Sequence, residues 1–105
     1  MKRRFRIAGH EYRVILTKGI IDPDKRGAIG QCKNNTHELK IDTTQEPSEQ
    51  SVVFLHEILH AISFRYFFNT LFGEAGTTEN EEMIDRLSEA LYQVLSSAGI
   101  DLTVT

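Results

Sequence analysis

Up to about residue 42, apolar and polar positions tend to alternate; from residue 47 onward apolar positions recur every three or four residues. Alternation places every second side chain on one face of a strand, whereas the longer period draws an apolar stripe down a helix. Residues 5–8 and 12–16 accordingly predict two strands joined by a Gly9-His10 turn. Residues 18–27 read as a loop punctuated by Pro23 and Gly27. A second hairpin, residues 28–33 and 36–42, is predicted around Asn34-Asn35, because Asn tolerates the positive φ of tight turns. Pro47-Ser48 opens a helix expected to reach about residue 69, and residues 72–76 break it. A second helix starts near Thr77-Thr78 and ends at Gly99, with Ile84, Leu87, Leu91, Val94 and Leu95 at helical spacing. The expectation is a single α+β domain over residues 1–105: a small antiparallel sheet of three to four strands, then two packed helices.

Composition narrows the function classes. With 40% hydrophobic and 26% charged residues, the chain has the make-up of an ordinary globular domain. No apolar run approaches membrane-spanning length, so no membrane partner is expected. The basic start MKRRFRIAGHEYR lacks an uninterrupted apolar stretch, which argues against secretion, and a lone Cys32 fits a reducing cytoplasm. Charge is uneven: residues 1–45 hold ten Lys/Arg against five Asp/Glu, residues 46–105 two against ten. A basic half raises a nucleic-acid reading through Lys2, Arg3, Arg4 and Arg6, but no recognition helix or stacking motif accompanies it, so nucleic acid is not the expected partner. The expectation is that the two halves pack together and their charges offset.

The chemistry lies in the first helix, at SVVFLHEILHAI, residues 51–62. His56 and His60 stand one turn apart on one face and can aim one nitrogen each at a single ion. Glu57, about 100° round the helix, can approach a water at that ion without being a ligand. A catalytic zinc usually takes three protein ligands. Tyr66 occupies the place of a third histidine six residues past His60, which leaves the acidic start of the second helix, Glu79, Glu81 and Glu82. Projected at about 100° per residue, only Glu81 falls at the edge of the Ile84–Leu87–Leu91–Leu95 stripe. Asp85, four residues on, can hydrogen-bond a ligand histidine. Glu81 has a competing reading, since Thr78-x-x-Glu81 is a capping box; if Thr77 caps instead, Glu81 is released. Asp85 has one too, as the partner of a surface cation.

His56-Glu57-x-x-His60, followed by Asn80-Glu81-x-x-x-Asp85, resembles the gluzincin pattern of thermolysin-like metallopeptidases. The short chain resembles more closely the minimal ImmA/IrrE-type and short phage-encoded HExxH proteins, over roughly residues 39–95. The resemblance implies a minimal zincin-like fold in the cytoplasm (of the host, if phage-encoded). It implies Zn²⁺ held by His56, His60 and Glu81, Asp85 supporting a ligand histidine, and Glu57 as general base for peptide hydrolysis. It also implies a protein or peptide substrate, laid along the edge of the strand over residues 36–42. Arg65, Tyr66, Tyr92 and His37 are candidates for the oxyanion partner. The alternative is a zinc-containing, non-catalytic protein-binding module with Asp85 closing the site. His10 and His37 read as surface residues, and Phe64, Tyr66, Phe67, Phe68, Leu71 and Phe72 as core packing, a substrate pocket or a self-association patch. Cys32 reads as a small buried residue. The sequence does not fix an oligomeric state.

Overall fold

The computed structural model describes residues 3–20, 29–66 and 77–104. Four strands, β1 (Arg4–Ile7), β2 (His10–Thr17), β3 (Gly30–Lys33) and β4 (Glu38–Asp42), precede two helices, α1 (Pro47–Tyr66) and α2 (Thr78–Ser97). The domain is α+β, a four-stranded sheet followed by two packed helices.

Both expected hairpins form. β1 pairs β2 antiparallel, turning through Ala8 and Gly9, whose φ of 51° and 80° are both positive, as a two-residue hairpin loop requires. That turn sits one residue earlier than Gly9-His10. β3 pairs β4 antiparallel, and here His37, not the Asn34-Asn35 pair, takes the positive φ. The sheet as a whole is not antiparallel. Its order is β1-β2-β4-β3, and the two hairpins join through parallel pairing of β2 with β4, Val14 opposite Leu39 and Leu16 opposite Ile41. β4 is therefore an inner strand, with both edges used. The expectation that residues 36–42 offer a free edge to a peptide is overturned; among the described residues, β3 is the edge strand on that side.

One face of the sheet packs on α1. Tyr12, Val14, Leu39 and Ile41 meet Val53, Phe54 and Ala61 there, with Ile7 and the C-terminal Val104 in the same cluster. The tail is tied down where the Ser51 hydroxyl donates to the Leu102 carbonyl at 2.8 Å. α1 has a second covered side, which packs on α2 around the fully buried Ile84. A helix between two layers needs apolar residues on both sides. The pattern seen in SVVFLHEILHAI follows.

The opposite face of the sheet carries Arg4, Arg6, Arg13, Lys33 and Lys40, by the alternation that sends Phe5, Tyr12, Cys32 and Leu39 inward. These cations lie across the sheet from α1 and α2. Arg13 pairs with Glu38 at 3.4 Å, a neighbour in the same basic half. Among the described residues, these five cations thus stand on the face turned away from the helices.

Both helix ends of α2 follow from sequence. Thr77 is the N-cap, its hydroxyl accepting from the Asn80 amide at 3.2 Å. At the other end Gly99 (φ 84°) donates to the Ser96 carbonyl and Ile100 to that of Leu95, the pairing of a Schellman motif. Residues 67–76, which include Phe67, Phe68, Leu71 and Phe72 of the aromatic run, lie outside the described residues, as do residues 21–28 of the loop. No helix among the described residues is long and apolar enough to cross a membrane.

Candidate metal centre

Thr77 decides the position of Glu81. Because the threonine hydroxyl, not Glu81, satisfies the first turn of α2, the glutamate side chain is free to reach across to α1. Its two oxygens lie 3.3 Å from His56 Nε2 and 3.1 Å from His60 Nε2. The two Nε2 atoms are 3.0 Å apart, as the one-turn spacing on α1 allows. Two imidazoles and a carboxylate from two helices therefore converge on one point.

The tautomer of His56 follows from its other nitrogen. Nδ1 lies 2.8 Å from Asp85 Oδ1, so it carries the proton and donates it there. In the neutral ring Nε2 is then a lone-pair acceptor, turned toward the acceptors of Glu81. A second carboxylate that fixes the ring and its tautomer in this way is the usual outer support of a metal-bound histidine. Asp85 is thus engaged with the imidazole, and its place as a surface-cation partner finds no support. Neither Glu81 nor Asp85 has a Lys or Arg partner among the described residues.

The residues fit Zn²⁺. Tetrahedral ligands at about 2.0–2.1 Å place two nitrogens about 3.3 Å apart. The three donor separations here, 3.0, 3.1 and 3.3 Å, lie within a few tenths of an ångström of that. The two histidine side chains are mostly shielded, while that of Glu81 is 38% exposed, so the cluster opens to solvent on the α2 side.

Glu57 is buried on the sheet side of α1, with a carboxylate oxygen within 4.8 Å of a ring nitrogen of each histidine. Glu57 and the two histidines thus form a group that could itself hold an ion. What brings the sheet so close is Gly30. A Cβ on Gly30 would lie 2.7 Å from Glu57 Oε2 and closer still to Val53 Cγ1. Only a residue without a side chain lets β3 approach α1 here. Sequence reasoning missed Gly30, although a glycine inside a strand pattern is the signal for such an approach. Cys32, two residues along the same face, is burdened by its surroundings: burial and the Glu57 carboxylate push its thiol up to about 12, and Arg65 only partly opposes them. It is an inert thiol.

Two of the oxyanion candidates have partners at Tyr12. Arg65 donates from Nε to Tyr12 Oη at 2.8 Å and from Nη2 to the Asn34 carbonyl at 2.8 Å. His37 stacks on the Tyr12 ring, 5.2 Å between centroids. Tyr92 is half-buried on α2, and Tyr66 is 51% exposed at the end of α1. Comparison with protein-family models, with curated proteins and with solved structures finds no significant match for this chain.

Proposed function

We propose that the protein is a zinc-dependent metallopeptidase of minimal gluzincin type, with His56, His60 and Glu81 as metal ligands and Glu57 as general base. The observation that carries the reading is the convergence of two imidazole Nε2 atoms and a carboxylate, with Asp85 holding the His56 proton on the far nitrogen. When bound, Zn²⁺ supplies a Lewis acid that polarises a carbonyl and acidifies water. Glu57 takes the proton of the attacking water at its carboxylate and passes it to the leaving amine. Its burial beside Gly30 keeps that carboxylate in one place. Asp85 orients the His56 ring. The substrate is a protein or peptide in extended form, and β3 is the edge among the described residues that such a chain would run beside. The single unreactive cysteine is consistent with a cytoplasmic setting.

A non-catalytic zinc module is the second reading, and it needs a fourth protein ligand. Asp85 is the nearest candidate, and its Oδ1 contact with His56 Nδ1, on the far side of the ring from Nε2, favours a supporting role for it instead. The deciding experiment pairs native mass spectrometry with peptide cleavage. The expected result is one zinc per chain, its loss in Glu81→Ala, and in Glu57→Gln a retained zinc with no cleavage. Cleavage surviving in Glu57→Gln would remove that residue from the chemistry. A folded protein that takes up no zinc would sink the metallopeptidase reading.

A further inference from the structure

The stripe of α1 that carries the two histidines does not stop at His60. Four residues on, on the same side of the helix, stands Phe64. It is 53% exposed, one of the most exposed large apolar side chains among the described residues. A surface phenylalanine alone means little. This one, however, is held in place. The Arg65 guanidinium lies 5.1 Å from its ring centroid, and that guanidinium is fixed by Tyr12 and the Asn34 carbonyl. The ring therefore gains order from a cation on one side without being covered. Tyr66, equally exposed, lies about 200° further round the helix from Phe64 and about 120° from His60, where Phe64 is about 40° from it.

We propose that Phe64 is a specificity-determining residue of this site, a platform for an aromatic or large aliphatic side chain of the bound peptide. The inference rests on the metallopeptidase reading above. Phe64 is about 6 Å along the helix from His60, the reach of about two residues of extended chain. The side chain it selects is thus within two residues of the bond at the metal. An apolar side chain docked there covers ring surface that water now touches, and an aromatic one adds the directional preference of ring pairs. The cleft becomes a polar metal centre with one apolar subsite beside it, the usual division between orientation and affinity in small-ligand sites.

The test compares two metal-directed probes on the zinc-loaded protein by calorimetry: acetohydroxamic acid, with no side chain, and phenylalanine hydroxamate, with a benzyl group. The benzyl compound is expected to bind about tenfold more tightly, from burial of its ring. Phe64→Ala should reduce that advantage to within about twofold, Phe64→Leu should keep most of it, and Tyr66→Ala should leave it unchanged. Two hydroxamates of equal affinity on the natural protein would overturn the role of Phe64 while leaving the open metal site standing. So would a benzyl advantage that persists in Phe64→Ala. Failure of both compounds to bind a protein that holds zinc would overturn the open site and this inference together.

Discussion

Two polar clusters lie along α1, and they are wired differently. Around Tyr12, every strong group has its complement: the phenol donates to Asn34 Oδ1 at 2.7 Å and accepts from Arg65 Nε, whose Nη2 meets the Asn34 carbonyl. Donors and acceptors alternate and the network closes on itself. One turn and more toward the N-terminus, around His56 and His60, two ring nitrogens and two carboxylate oxygens crowd one point at 3.0–3.3 Å, and the His60 tautomer decides which of them donates. A closed network rigidifies a fold and asks for nothing more. A convergence of two imidazole nitrogens and a carboxylate is instead a set of atoms that could hold a cation.

The sharpest way to break the comparison is to cut each cluster once. Arg65→Ala leaves a charged donor's partners, the buried Tyr12 oxygen and the Asn34 carbonyl, without it, and should cost about 2–3 kcal/mol in urea denaturation. Zinc uptake by the still-folded fraction should be unchanged. Glu81→Ala should do the reverse: zinc is lost, and the stability of the metal-free protein changes little, since the Glu81 side chain is 38% exposed and its contacts are made near the surface. If Glu81→Ala destabilised the metal-free protein as much as Arg65→Ala does, the cluster would be a structural network and the contrast would collapse.

Asp85 gives a smaller and more specific effect. It touches His56 from outside the convergence point, with 63% of its side chain exposed. Asp85→Asn should weaken zinc affinity by about 10- to 100-fold, measured by competition with a chromophoric chelator, without a comparable loss of stability. An unchanged affinity would mean that the 2.8 Å contact is a surface pairing and no more.

What could be read from sequence follows the range of the interactions. Helix spacing placed His56 and His60 together, and projection singled out Glu81 from its neighbours. Both depend on positions a few residues apart. The cap that frees Glu81 was an open choice between Thr77 and Thr78, settled by the Thr77–Asn80 contact. Hairpins are local as well, and both formed. The parallel joint between β2 and β4 was not legible, because no turn between them dictates it; it arises when two hairpins share one apolar face under α1. Where Arg65 turns was not legible for the same reason. Its partners Tyr12 and Asn34 are 53 and 31 residues away in the chain. The placing of five strand cations on one face was not legible from net charge, which says nothing of which face a strand turns outward.

The least of the expected effects concerns a carboxylate wired in the opposite sense from Glu81. Asp42, at the end of β4, accepts from the Gly19 amide at 3.0 Å, the Thr44 amide at 2.9 Å and the Thr44 hydroxyl at 2.7 Å. Surrounded by donors, it needs no cation, and the Thr44 bonds first, then Gly19, hold its pKa below the ordinary 3.8. A folded-state pKa below the unfolded one means that the unfolded chain takes up the proton first as acid is added. The contribution of Asp42 is therefore complete above the unfolded value and disappears as pH falls through the folded one. Urea midpoints of the metal-free protein, from about pH 6 to about pH 2.5, should show Asp42→Asn less stable at the upper end and the two proteins converging at the lower. A constant gap across that range would mean that the loop after β2 is held by packing alone, and that donors around a carboxylate do not distinguish Asp42 from Glu81 in the way the geometry implies.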